Sequence, residues 1–187
     1  MALTFHDVQA ARERIAPYAV KTPLLRLHAL DDYLGCQVYV KAECMQVTGS
    51  FKYRGAMNKI LSLTKEELGR GIVAASSGNH GKALAYAAKM LGVKATIVLP
   101  YTAAQIKVDT IAGWGAETVR CEVQERFEVA ERICRSGARP WCRPTTTSRS
   151  WPARARRGWS SWSSAPNWTR WWSPPAAAGS SGACLRR

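Results

Sequence analysis

The sequence predicts an α/β protein built on parallel sheets with helices on both faces. Two observations predict this. Short apolar runs at Gln37–Ala42, Gly71–Ala75, Lys94–Leu99 and Glu117–Cys121 alternate with stretches of helical spacing, the pattern of βαβ units. Glycine, proline, serine or threonine punctuates most of the junctions, which marks where one period gives way to the next.

Each element has its own reason. Thr4 and Asp7 stand in capping-box spacing, and Val8, Ala11 and Ile15 then recur at helical intervals up to Pro17. Thr22-Pro23-Leu24-Leu25 reads as extended, because the residue before a proline avoids the helical region. Leu27–Leu34 is a short helix closed by Gly35, and Gln37–Ala42 alternates as a strand. Thr48-Gly49-Ser50 supplies turn and N-cap residues for a helix that begins near Lys52. Phe51, Met57, Ile60, Leu61 and Leu63 give that helix an apolar face. Thr64 and Glu67 form a second capping signal. Beyond it come strand Gly71–Ala75, helix Lys82–Leu91, strand Lys94–Leu99, helix Gln105–Ala112, strand Glu117–Cys121 and helix Gln124–Arg135.

Length suits one domain or a little more, since domains run to roughly 100–200 residues. No apolar run is long enough to span a membrane, and no basic-then-apolar leader opens the chain. A cytoplasmic location is therefore expected. The six cysteines show neither CxxC nor Cys/His spacing and read as reduced thiols, with no metal site. A net charge of +14 raises the question of nucleic acid. The charge is unevenly placed, however. Residues from Ala138 onward hold nine arginines and no lysine, aspartate or glutamate, which leaves a net of +5 for residues 1–137. No nucleic-acid module accompanies the basic tail, so a nucleic-acid partner is not expected.

Two stretches carry chemistry. In Gln46-Val47-Thr48-Gly49-Ser50-Phe51-Lys52-Tyr53-Arg54-Gly55-Ala56, one lysine sits at a loop-to-helix junction, where a ligand can reach it. A lysine held on rigid structure can form a Schiff base with an aldehyde cofactor once its amine is neutral; a solvated surface lysine is the plainer alternative. In Ala75-Ser76-Ser77-Gly78-Asn79-His80-Gly81, small polar residues join a strand to a helix. The backbone N–H groups of such a joint suit a carboxylate or phosphate, and a strand's C-terminal edge is where open α/β sheets bind ligands.

These stretches, with Lys21-Thr22-Pro23-Leu24 and Lys41-Ala42-Glu43, resemble the pyridoxal-phosphate (PLP) enzymes of fold type II, the tryptophan synthase β-like fold. Within them they are similar to the threonine/serine dehydratase and serine racemase group, in register from about Phe5 to Gly137. The resemblance implies that Lys52 holds PLP and removes the α-proton, that Phe51 packs on the cofactor ring and that Asn79 bonds its ring oxygen. It implies that Ser76, Asn79 and His80 bind the substrate carboxylate, and that Ser77 stands where a racemase needs its second acid. Plainer readings sit beside these: Phe51 as core, Asn79 as an N-cap, His80 acting through its backbone, and Arg54 and Tyr53 as structural or solvated groups. The implied activity is dehydration of a hydroxy amino acid to a 2-oxo acid and ammonia; amino-acid racemisation and a non-catalytic remnant are the alternatives. The implied partner is a small amino acid, with a homo-oligomer open for the intact protein. The implied organisation is a large domain beginning with residues 1–70 and a smaller one over 71–137, with much of the large domain's later part missing.

Residues 138–187 read differently. Seven of the eight tryptophans lie there, and valine, isoleucine, phenylalanine, tyrosine and lysine are absent. A shift of one nucleotide explains this composition. Trp171-Trp172 requires TGGTGG, which contains a valine codon in the shifted frame, and Pro175-Ala176-Ala177-Ala178-Gly179-Ser180 permits Gly-Gly-Gly-Gly-Leu. That run resembles the family's phosphate loop. The tail is accordingly expected to be out of frame and poorly ordered.

Overall fold

The computed structural model describes residues 4–143 together with strands at 170–172 and 183–186. Among them the order is α1 (Phe5–Ile15), β1 (Leu24–Arg26), α2 (His28–Leu34), β2 (Gln37–Lys41), a 3-10 turn at Glu43–Met45, α3 (Lys52–Leu61), α4 (Lys65–Arg70) and β3 (Ile72–Ala75). Then follow α5 (Asn79–Met90), β4 (Ala95–Pro100), α6 (Gln105–Gly113), β5 (Glu117–Cys121), α7 (Arg126–Ser136), β6 (Arg170–Trp172) and β7 (Ala183–Arg186). Both capping boxes form as the sequence predicts. Thr4 accepts from the Asp7 N–H at 3.3 Å while Asp7 accepts from the Thr4 N–H at 2.9 Å, and Thr64 and Glu67 do the same for α4.

Strands β3, β4 and β5 form a parallel sheet in that order. Period-2 alternation puts successive side chains on opposite faces, and here both faces are covered. Ile72, Ala74, Ile97 and Leu99 join a core with Ala83, Leu84 and Ala87 of α5 and with Met57 and Ile60 of α3. Val73, Ala75 and Val98 turn the other way, onto Ala130 and Ile133 of α7. All six residues of β4 are buried, as befits a strand with helices on each side. No helix among the described residues is long and apolar enough to cross a membrane.

The other sheet departs from expectation. Its order is β1-β2-β7-β6, and every pairing is antiparallel. The turn-like α2 between β1 and β2 is only seven residues long. That is too short for the crossover a parallel pair requires.

The stretch beyond Gly137 departs further. Pro140–Cys142 runs beside β3: the Val73 N–H donates to the Pro140 carbonyl at 3.1 Å and the Cys142 N–H donates to the Val73 carbonyl at 2.8 Å. Cys142 is buried in the core. Residues 183–186 pair with β2, and residues 170–172 with them. Against the expectation of a poorly ordered tail, these segments supply strands, because a sheet ladder is made by backbone groups that nearly any residue carries. The shifted-frame phosphate loop falls mainly at 175–180, outside the described residues.

Gly71 joins α4 to β3 at φ 81°, and a Cβ there would stand 2.8 Å from the Lys94 carbonyl oxygen. Both the left-handed backbone and the close approach demand glycine. Gly71→Ala should cost about 1–3 kcal/mol, read as a lower urea midpoint with an unchanged slope.

Candidate active site

The segment leading to Lys52 is held by a buried ion pair. Glu43 and Arg54 are both nearly inaccessible, and the guanidinium grips the carboxylate twice, with Nε to Oε2 at 2.9 Å and Nη2 to Oε1 at 2.8 Å. Thr22 adds a third bond, its hydroxyl donating to Glu43 Oε1 at 2.7 Å. Lys41 Nζ donates to the Thr22 carbonyl. Gln46 clamps Val20 from both sides, accepting its N–H at 3.0 Å and donating to its carbonyl at 2.9 Å. Burial raises the Glu43 pKa, but the hydrogen bond and charge of Arg54, with help from Thr22 and Lys41, outweigh it. The carboxyl therefore titrates below its ordinary value of 4.5.

Lys52 is the first residue of α3, as the sequence predicts, and is half-buried, with Nζ 5.1 Å from the Phe51 ring centroid. The cap differs. Phe51 occupies the N-cap position in a helical conformation with no side-chain cap bond. Ser50 is buried, and its Oγ, like Thr48 Oγ1, has no hydrogen-bond partner. Leaving a buried hydroxyl unpaired costs about 1–3 kcal/mol. The expected one-sided apolar face of α3 is also exceeded: Tyr53, Arg54, Gly55, Ala56, Met57 and Asn58 are all buried, because α3 lies between α1 and α5.

Helix α5 begins at Asn79, three residues earlier than the periodicity indicates, so the joint after β3 is only Ser76-Ser77-Gly78. Gly78 is the N-cap, a position expected for Asn79, and no side chain caps the helix. Its N-cap residue therefore offers the first turn no side-chain acceptor. Ser76, Ser77 and Asn79 are half-buried beside it. The loop curls tightly onto the helix: a Cβ on Gly81 would stand 2.1 Å from the Ser76 carbonyl oxygen. His80 is buried, and its Nε2 lies 2.9 Å from the Cys142 carbonyl oxygen. Its side chain is thereby committed to the returning chain, and its backbone is what the helix start presents.

The two groups of candidate residues are joined through α3 and α5, which pack on each other. Tyr53, next to Lys52, meets Tyr86 of α5 edge-on at 6.0 Å, and Tyr86 in turn meets Trp114 at 5.3 Å. Burial pushes the Tyr53 phenol up to about 12, so it stays neutral. Of the structural and solvated alternatives for Arg54, the structure gives the structural one, paired with Glu43; Gln46 had no role assigned from sequence. The available signal was a glutamate followed by an arginine, with a threonine beside a proline, all in short polar segments of otherwise apolar surroundings.

An α/β fold in which a lysine opens one helix and a second helix without a side-chain cap packs on it carries an amine and helix-start backbone groups on neighbouring elements. The unpartnered hydroxyls of Thr48 and Ser50 and the tight Ser76–Gly81 loop fit a phosphorylated aldehyde in that site. The family "Pyridoxal-phosphate dependent enzyme" matches residues 15–156, past the boundary drawn at Gly137. The chain belongs to this family, and its fold is that of the fold type II members. It is 45% identical over 120 residues to the serine racemase of Dictyostelium discoideum, covering 64% of this chain and 37% of that protein. It is 48% identical over 132 residues to L-threo-3-hydroxyaspartate ammonia-lyase of Saccharomyces cerevisiae, covering 70% of this chain and 40% of that protein. It is 45% identical over 114 residues to a catabolic L-threonine dehydratase of Staphylococcus aureus, covering 60% and 33%. A crystal structure of the Dictyostelium discoideum serine racemase matches with a TM-score of 0.84 at 34% identity, over 89% of this chain and 55% of that chain. The chain thus spans well under half the length of these curated relatives.

Arg54→Ala should be severe, about 3–5 kcal/mol, because it leaves Glu43 charged and buried alone. Chemical denaturation of variant and wild type checks this. The pH dependence follows from the depressed Glu43 value. The unfolded carboxyl binds its proton first as pH falls, so the pair contributes fully above about pH 5, and this stability is lost as pH drops below about 4.3. In Glu43→Gln, stability should be lower at neutral pH and less steep in that acid window.

Proposed function

We propose that the protein is a PLP-dependent ammonia-lyase of hydroxy amino acids, a threonine/serine dehydratase. The observation that carries the reading is that α5, whose start follows Ser76–Gly78 with no side-chain cap, packs on the helix that Lys52 opens. Relatives named as threonine dehydratase and hydroxyaspartate ammonia-lyase support it. Bound pyridoxal phosphate supplies an electron sink for the charge left on the substrate α-carbon. Lys52 would hold the cofactor at rest and, once displaced by the amino acid, take the α-proton onto Nζ. Phe51 would cover the ring, and Asn79 would bond its oxygen. Ser76, Asn79 and the His80 backbone N–H would bind the substrate carboxylate at the helix start. Departure of the β-hydroxyl commits the substrate to a 2-oxo acid and ammonia.

A second reading, amino-acid racemisation, is favoured by Ser77, a half-buried hydroxyl in the same loop. It is also favoured by the relative named as a serine racemase. There Ser77 would return a proton to the face opposite Lys52. In either reading Lys52→Ala should remove activity and the visible absorbance of lysine-bound cofactor. Ser77→Ala separates the two. 2-Oxo acid formation from L-threonine or L-serine should persist in the lyase, whereas D-serine formation should fall at least about 100-fold in a racemase, the lower end of what a positioned acid contributes. D-serine as the only product, lost with Ser77, would overturn the lyase reading.

The shifted-frame reading of the tail belongs to the same proposal. A phosphate loop needs several backbone N–H donors at close approach, and Pro174 and Pro175 have none. A gene product with the frame corrected between Gly137 and Trp141 should bind PLP more tightly than the chain as written. Equal affinities would overturn it.

A further inference from the structure

We infer that Ser50 and Thr48 form an anion-binding hydroxyl pair beside Lys52, an inference that rests on the cofactor reading above. Among the described residues, four buried side-chain polar atoms lack a partner: Thr48 Oγ1, Ser50 Oγ, Arg120 Nε and Trp141 Nε1. Two of the four fall in one three-residue stretch, immediately before the lysine. Ser50 is only 3% exposed, and alanine would fit the same space without an unmade bond. The obvious structural use of Ser50, capping α3, is not made, since Phe51 is the N-cap and the cap makes no side-chain hydrogen bond. The ten-residue helix α3 therefore starts directly after a shielded, unpartnered hydroxyl, at the positive end of its dipole.

Donors at a helix start, with the positive end of its dipole, select negatively charged oxygen. Lys52 at that start is a cation at the wrong end of the dipole, which a bound anion would offset. The ligand chemistry is thus an anionic oxygen, and two sources fit it: the cofactor phosphate and the carboxylate of an amino acid. The upstream half of the same segment argues that the orphan atoms belong to a ligand. Glu43 and Gln46 have their side-chain oxygens and nitrogens bonded within the chain. A segment whose structural half is so fully paired has its unpaired half turned to something else.

The test uses the full chain, its Ser50→Ala and Thr48→Val variants, and Lys52→Ala. Without ligand, Ser50→Ala should melt at the wild-type temperature or above it, since an unpaired buried hydroxyl is removed. With PLP, its dissociation constant should rise about 10-fold, the loss of one hydrogen bond to a charged group, while that for pyridoxal stays put; this identifies the phosphate. If PLP binding holds but about 10-fold more L-serine is needed to change the cofactor spectrum, the carboxylate is the source. A lower melting temperature without ligand, or no change in either titration, overturns the inference. Should wild type and Lys52→Ala take up PLP alike, with no visible band, the cofactor reading fails by itself. Inorganic phosphate then decides the inference: it should raise the melting temperature of wild type and not of Ser50→Ala, and equal responses overturn it.

Discussion

The Glu43–Arg54 pair is the constraint on which the candidate site depends. A buried ion pair is weak as a source of stability, because desolvation of two charges offsets most of their attraction. What it does here is geometric. A bidentate guanidinium–carboxylate contact fixes distance and plane together, and Arg54 lies two residues beyond Lys52 in the first turn of α3. The angular setting of that turn is therefore tied to the 3-10 turn carrying Glu43. Through Thr22, Val20 and Gln46, it is also tied to the strand entry at Pro23. Three separate pieces of chain meet at one carboxylate. A helix that only packed by apolar contact could rotate or slide by a fraction of a turn at little cost; this one cannot do so without stranding a charge.

Much of the fold is legible in the sequence for physical reasons that act locally. Capping boxes at Thr4 and Thr64 are contacts over three residues, and they appear as read. The buried alternation of β3 and β4 follows from the pleat, and the Lys52 and Asn79 stretches fall at helix starts because turn residues precede them. What sequence misses is non-local. Arg54 looks like a solvated charge until Glu43 is brought to it, and Ser50 looks like a cap until Phe51 takes that position. The antiparallel pairing of β1 and β2, and the addition of 183–186 beside β2, depend on which strand edges remain open. A hydrophobic period does not record that.

His80 shows the same point over a longer span. Its ring meets the carbonyl of Cys142, a partner 62 residues away in sequence, on a segment that composition alone marks as foreign to the domain. Once Pro140–Cys142 lies beside β3, that carbonyl faces the start of α5, and the buried imidazole satisfies it. The Ser76–Gly78 loop is then braced from behind by the returning chain and drawn in from the front by Gly81 against the Ser76 carbonyl. Within the loop the Ser76 hydroxyl also accepts from the Gly78 N–H at 3.4 Å.

That separation between groups that hold the site and groups left to act recurs on the lysine side. Glu43, Gln46 and Arg54 are paired with protein, whereas Thr48 and Ser50, in the same short segment, are not. Buried polar groups in folded proteins are overwhelmingly paired, and a chain that can pair three such residues so completely is not short of partners. The unpaired hydroxyls therefore mark where intramolecular satisfaction stops. On the α5 side the same boundary falls between His80, bonded to Cys142, and the uncapped N–H groups of the first turn. The two boundaries lie at the starts of α3 and α5, helices that pack on each other. A phosphate or a carboxylate is the class of ligand that accepts from hydroxyl and backbone donors of this kind, and that is what the roles proposed for Lys52 and the start of α5 ask of them.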